Sequence, residues 1–187
     1  MASAPSSHRR IVLLRGINLA SRRRVGMADL RELLAGHGYE DVRTHLQSGN
    51  VVLTNNLPAE RLARKLEREL DAGFGLEIEV IVRTRAELAR VVARNPLGKV
   101  ATDPSRYLVT FLGAKLAAEA LRELRAADVA PEQVVVSGRE IYSWHPDGLQ
   151  RSPLAKLLAK AGVSGAGTNR NWRTVTKLLE LVDEGSA

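Results

Sequence analysis

The run VRTHLQSGNVVLT, Val42–Thr54, decides the fold. Val42, Thr44 and Leu46 alternate with polar residues, Ser48-Gly49-Asn50 supplies turn chemistry, and Val51–Leu53 is a short apolar strand. Glycine and asparagine accept the positive φ that a tight hairpin needs. The run therefore reads as two antiparallel strands. Upstream, the continuous apolar run Ile11–Leu14 reads as a buried strand, followed by Met27, Leu30, Leu33 and Leu34 at helical spacing. Downstream, Pro58 opens a helix striped by Leu62, Leu66 and Leu70. Ile78, Val80 and Val82 then alternate with glutamates as a half-buried strand. The order is βαββαβ.

A separate helix follows, with Thr84 and Glu87 spaced as a capping box and Asn95-Pro96 as its stop. Residues 97–105, rich in Gly, Pro and polar groups, form the expected linker. The first pattern then returns. Tyr107–Leu112 reads as a strand, Ala117, Ala120, Leu121 and Leu124 as a helix stripe, and Gln133–Val136 and Ile141–Trp144 as strands around the turn Ser137-Gly138-Arg139. Ser152-Pro153 caps a helix, and the short segment Gly167–Arg170 leads into a last helix striped by Trp172, Val175, Leu179 and Val182. Gly16 and Gly113 lie 97 positions apart, whereas Ser48 and Ser137 lie 89 apart. The first half thus carries a longer loop after its first strand, at residues 17–26, holding Ser21-Arg22-Arg23-Arg24. The expectation is an α+β protein of two repeated units packed together, each with an extra helix. Residues 1–8 are expected to be disordered, 9–96 and 106–187 to be the units.

The 187 residues are 44% hydrophobic but only 4% aromatic, so the core must be built from aliphatic side chains. No cysteine is present, which excludes disulfides, thiolate nucleophiles and sulfur-ligated metals and fits a reducing cytosol. No apolar run approaches the ~20 residues of a membrane span. The reading is a cytoplasmic protein without a membrane partner, its oligomeric state left open. The net charge of +7 comes largely from 22 arginines. This surplus can attract phosphates, or it can simply decorate solvated helix faces, as Arg61, Arg64 and Arg68 do beside glutamates.

Four polar runs fall at element ends. Arg15-Gly16-Ile17-Asn18 sets a charge and an amide beside a glycine that permits close backbone approach, which suits a ligand site; alternatively Arg15 pairs with a helix carboxylate and Asn18 shapes a turn. Arg22-Arg23-Arg24 offers planar forks of donors to phosphate, or is a solvated charge run. In Gln47-Ser48-Gly49-Asn50 the hairpin explains Gly49 and Asn50 but does not require Gln47 or Ser48. Thr168-Asn169-Arg170-Asn171 stands before the last helix, where N–H groups and the helix dipole favour anions, unless Asn171 is simply the N-cap. Tyr142 and Trp144 share one strand face and read as core rather than as a base-stacking platform. His8, His37, His45 and His145 show no metal-like spacing, and no phosphate loop, nucleophile elbow or paired-carboxylate motif occurs. Neither a metal nor a cofactor is expected.

These blocks carry a resemblance. LLRGIN, VGMADLRELL, DVRTHLQSGNVVLT, VIVRTRAELARVVARNP and RNWRTVTKLLEL resemble successive blocks of domain-of-unknown-function family 1697, small bacterial proteins, from about Arg9 to Leu181. The resemblance implies two ferredoxin-like subdomains and no established activity, substrate or cofactor. Ala20-Ser21 stands where the family has glycines, so the backbone there is not expected to cradle phosphate. The leading expectation is a binding protein for nucleic acid or a phosphorylated small molecule. Its site would gather Arg15, Asn18, Arg24, Gln47, Ser48, Asn50, Arg170 and Asn171, with Arg15 and Arg170 facing one cleft. The alternatives are a metal-free enzyme acting on a small anionic metabolite, with Ser48 or a histidine reactive, or an interaction scaffold using an open sheet edge.

Overall fold

The computed structural model describes residues 8–18 and 24–184. The expected disorder of residues 1–8 therefore falls almost wholly outside the described residues, as do Ser21, Arg22 and Arg23. The chain divides into two compact units, the first running to Arg90 and resuming at Lys177, the second spanning Val91–Thr176. The divisions differ from the expected linker at 97–105, and residues from Lys177 onward, expected in the second unit, group with the first. Among the described residues no helix is long and apolar enough to cross a membrane.

The first unit contains β1 (Arg9–Leu14), α1 (Met27–Gly36), β2 (Glu40–His45), β3 (Asn50–Thr54), α2 (Ala59–Phe74), β4 (Val80–Thr84) and the start of α3 (Arg85–Arg94). Its sheet is antiparallel in the order β2-β3-β1-β4, with Val12 opposite both Val51 and Val82. Side chains alternate across a strand. Val12, Leu14, Val51, Leu53, Val80 and Val82 thus share the core with Leu30, Leu34, Leu62, Leu66 and Leu70 of α1 and α2. Ile11, Leu13, Val52, Ile81 and Arg83, on the opposite face, are buried as well. β1 begins two residues earlier than its apolar run, because Arg9 and Arg10 are held inside. The Arg9 guanidinium donates to the carbonyl of Val182 at 3.0 Å, satisfying a helix-terminal acceptor. α2 ends on Gly75 at φ 63°, the left-handed conformation glycine adopts without a Cβ penalty.

The second unit contains β5 (Tyr107–Leu112), α4 (Ala118–Ala126), β6 (Gln133–Ser137), β7 (Glu140–Trp144), α5 (Pro153–Lys160), α6 (Val163–Ala166), β8 (Gly167–Asn171) and the start of α7 (Trp172–Asp183). Its antiparallel order is β6-β7-β5-β8. β8 corrects the expectation of a mere segment before the last helix. Its sequence Gly-Thr-Asn-Arg-Asn has no apolar alternation, but pairing with β5 from Leu108↔Asn171 to Leu112↔Gly167 makes it an edge strand. Tertiary pairing here overrides local propensity.

Two expected caps are present. The Thr84 N–H donates to Glu87 Oε2 at 2.8 Å while the Glu87 N–H donates to Thr84 Oγ1 at 3.1 Å, a reciprocal capping box. Ser152 Oγ accepts from the Ala155 N–H at 2.8 Å ahead of Pro153. In α7 the buried apolar positions are Val175, Leu178 and Val182, whereas Leu179, expected in the stripe, is only half-buried. Tyr142 and Trp144 are buried, as a core reading requires, and the Tyr142 hydroxyl donates to the Val91 carbonyl at 3.2 Å.

Trp172, expected to be buried, is half-buried. Its ring stacks on Tyr107 with centroids 4.8 Å apart and planes 17° apart. Trp172→Ala should therefore destabilise the protein by roughly 1–3 kcal/mol, below the ~3–5 kcal/mol of a fully enclosed aromatic. Urea titration checks this, and an unchanged midpoint would show that the stacked pair contributes nothing to stability.

Candidate functional site

The end of β1 and the turn between β2 and β3 are fastened by one side chain. Asn18, at φ 55°, accepts the Val25 N–H at 2.9 Å through Oδ1. Its Nδ2 donates to the Val25 carbonyl at 3.1 Å and to the Gln47 carbonyl at 2.6 Å. Asparagine fits this place because a short amide tolerates the left-handed conformation and pairs with backbone as a peptide would. Asn50, fully buried, donates to the His45 carbonyl at 2.8 Å and to Ser48 Oγ at 2.9 Å, so its amide shapes the turn. At Gly49, φ 74°, an added Cβ would lie 2.7 Å from the Leu14 Cβ, and the Leu14 N–H donates to the Gly49 carbonyl at 2.8 Å. The turn can lie this close to β1 only with glycine there.

This wiring leaves Arg24, Leu46, Gln47 and Ser48 exposed at one end of the first sheet. Other cations surround it. Arg31 donates to Thr44 Oγ1 at 2.6 Å, and Lys177 lies near His45 while pairing with Glu180 at 3.0 Å and Glu184 at 3.7 Å. Burial first, and then the Lys177 charge, hold the His45 imidazole below its ordinary value of 6.5.

Arg15 follows Leu14 at this same end of the sheet, but on the β4 side, where its N–H donates to the Glu79 carbonyl at 3.0 Å. It is ion-paired to Glu79, as the structural alternative had it except that the carboxylate lies just ahead of β4 rather than on a helix. The pair lines a groove of about 560 Å³ with Arg68, Glu67, Asp71 and Glu77. Four carboxylates face two guanidiniums there, so an anion entering the groove meets net repulsion.

In the second unit, Arg170 lies in β8 rather than in a loop at a helix end. Its buried guanidinium donates to Thr168 Oγ1 at 2.6 Å and to the Asn169 carbonyl at 2.8 Å, and burial lowers its pKa to about 10. Asn171 Oδ1 accepts the Thr174 N–H at 2.9 Å and so caps α7. Of the eight expected site residues, Asn18, Gln47, Ser48 and Asn50 are wired together at one end of the first sheet, where Arg15 also stands and where Arg24 precedes the braced Val25. Arg15 has its own groove, and Arg170 and Asn171 belong to β8.

A further polar cluster, not among the expected site residues, joins β7 to α5. His145 Nδ1 lies 3.0 Å from Glu132 Oε1 and 2.9 Å from Ser152 Oγ, and its Nε2 lies 2.9 Å from Ser143 Oγ. All four residues are buried. Burial alone would raise the Glu132 carboxyl, but hydrogen bonds from Ser152, the Leu154 N–H and His145 outweigh it and leave it below its ordinary range. The sequence signal was the spacing of Ser143 and His145, which sets both on one strand face; their carboxylate partner, 13 residues from His145, could not be read. Among the described residues no three acidic or histidine side chains gather as metal ligands.

A protein-family model described as "Protein of unknown function (DUF1697)" matches residues 8–142. Among solved structures, a conserved bacterial protein, SP0830, from Streptococcus pneumoniae is similar in fold, with a TM-score of 0.78. It is 21% identical in sequence, over 94% of this chain and 98% of that one. No curated protein matches the sequence.

His45 reports on the cationic end of the first sheet. Its depressed value means that the unfolded chain takes up the proton more readily. The contribution of His45 to stability should thus be full above pH ~6.5 and decline as the pH falls below it. In an NMR titration His45 should protonate below 6.5, and Lys177→Ala should move the midpoint only part of the way back, since burial is the larger cause. A wild-type midpoint at or above 6.5 would contradict this account.

Proposed function

The chain belongs to this family of proteins of unknown function, and on that premise we propose that its first unit binds an anionic partner, nucleic acid or a phosphorylated small molecule. The binding surface is the end of the sheet bearing the turn at residues 46–49. The observation that supports the reading is the Asn18 brace, which ties Val25, the neighbour of exposed Arg24, to Gln47 of the exposed turn. A guanidinium with neighbouring amide and hydroxyl donors is a suitable cradle for phosphate oxygens. Arg22 and Arg23 adjoin Arg24 in sequence, and Arg31, whose partner Thr44 is neutral, adds positive potential at the same end. Arg15, set among carboxylates, is left out of this anion site.

Each unit is further read as ferredoxin-like and the pair as an internal duplication. The support is the equivalent strand orders β2-β3-β1-β4 and β6-β7-β5-β8, and the positive-φ glycines Gly49 and Gly138 in the corresponding hairpins. The lack of cysteine supports a reducing, cytoplasmic setting.

Binding is tested by fluorescence anisotropy with a labelled single-stranded oligonucleotide, and with inorganic polyphosphate as competitor. Arg24→Ala should weaken binding about tenfold, the scale of one lost charge-assisted contact. With an oligonucleotide it should also reduce the slope of log K against log salt by about 0.7, one phosphate fewer. Wild-type affinity retained by Arg24→Ala at low salt would end the reading. Asn18→Ala should remove the brace, costing roughly 2–3 kcal/mol of stability for three hydrogen bonds in a left-handed position, and weaken binding along with it.

A further inference from the structure

The second unit holds chemistry that the anion site does not use. Ser143 precedes Trp144, the last residue of β7, and His145 follows it, so Ser143 and His145 project to one face of the sheet, the face of Ile141 and, across β5, of Leu108 and Thr110. That face is covered by α5, whose Leu154 and Leu158 lie in the same core as Ile141 and Val163. A cavity of about 180 Å³ remains between them. Ser143 and His145 form its buried end; Leu149, Ser164 and Asn169 line it and are exposed. Leu108, Leu158 and Val163 make much of the wall apolar, and the Thr110 hydroxyl donates to Asn169 Oδ1 at 2.7 Å, which orients the Asn169 amide.

The protons in this cluster can be placed. Glu132 is held ionised by its hydrogen bonds and accepts the Leu154 N–H at 2.8 Å through Oε2. Its other oxygen is then the acceptor for His145 Nδ1–H at 3.0 Å. That tautomer leaves a lone pair on Nε2, 2.9 Å from the Ser143 hydroxyl, which donates to it. A hydroxyl on an imidazole whose far nitrogen is held by a carboxylate is the arrangement that activates serine as a nucleophile. A histidine that only tied β7 to the start of α5 would need its Nδ1 partners alone; here the serine on Nε2 also faces a cavity.

We propose that Ser143, His145 and Glu132 form a nucleophile–base–orienter set that transfers or hydrolyses a small acyl group in this cavity. Ser143 Oγ attacks the carbonyl carbon of an ester while its proton passes to His145 Nε2. The tetrahedral intermediate expels the alkoxide, which takes that proton and leaves as the alcohol. His145 then accepts a proton from water, the hydroxide attacks the acyl-serine, and the proton returns to Ser143 as the acid departs. Ser143 and His145 are the catalytic residues; Glu132 is a positioning residue, acting through the imidazole. The cavity volume limits the acyl group to a few carbons, with its apolar part against Leu108 and Val163. The site lies in the second unit and stands apart from the anion-binding reading.

A small alkyl fluorophosphonate tests this directly, because Ser143 Oγ would form the bond to phosphorus and fluoride would leave. Intact-mass and peptide analysis should show one adduct per chain, on Ser143, and none in Ser143→Ala. His145→Gln should slow labelling about 100-fold or more, the scale of a lost general base. Should either variant fail to fold, Ser143→Cys keeps the test open: its thiol should be alkylated by iodoacetamide in the folded protein faster than a cysteine in the unfolded chain. With p-nitrophenyl acetate, Glu132→Gln should lower kcat and leave KM unchanged; a loss of thermal stability with kcat intact would overturn its role. Wild-type protein left unlabelled, or labelled elsewhere than Ser143, would overturn the proposal.

Discussion

Two strands buried on both faces set the terms for every site in this molecule. β1 and β5 are buried at each of their positions, so neither can lie at a sheet edge or offer a solvated face. Each must be flanked on both sides, and β3 and β4, or β7 and β8, do so. Register then follows from packing, since a slip of one residue would exchange the two faces. In β7 such a slip would turn Ser143 toward the place of Tyr142 and Trp144, and the hydroxyl would leave the imidazole. The chemistry of both units therefore sits at the ends of strands or on the flanking ones, where polar groups find room.

At those ends many of the polar side chains serve the backbone. Asn18, Asn50 and Asn171 each pair with main-chain N–H or carbonyl groups, because an asparagine amide can stand in for a missing peptide partner. Leaving such a backbone group unpaired inside the protein costs about 1–3 kcal/mol. What lies exposed to a partner is Arg24, Gln47 and Ser48 at the surface of the turn, although the Ser48 hydroxyl also accepts from Asn50. Arg15 shows the converse. Its charge is matched locally by Glu79, and the carboxylates around it make that groove unlike an anion site.

The buried cluster of Ser143, His145, Glu132 and Ser152 is of another kind. Four polar residues in an interior are costly unless each is satisfied. Here the carboxylate gathers enough donors to stay ionised in spite of burial, and the imidazole is held between a carboxylate and a hydroxyl. That arrangement is rigid and oriented, and it opens on a cavity rather than on packed side chains.

The sequence by itself determined the elements whose signals are local. Apolar runs and stripes located β1, β3, β5, α1 and α2, because burial repeats with the period of the strand or helix. The capping box at Thr84–Glu87 and the Ser152 cap were legible because their partners lie three residues away. The family blocks were legible in the same way. Only the tertiary structure decided what depends on distant partners. β8 is a strand because β5 offers it hydrogen bonds, although Gly-Thr-Asn-Arg-Asn has no strand pattern of its own. Residues from Lys177 onward group with the first unit, a consequence of packing that no local pattern encodes. Arg15 read in the sequence either as a ligand-site cation or as the partner of a helix carboxylate, and only the fold supplied its partner, Glu79, ahead of β4. Ser143 and His145 could be placed on one face from their spacing, but Glu132 and the cavity were added by packing, which no periodicity records.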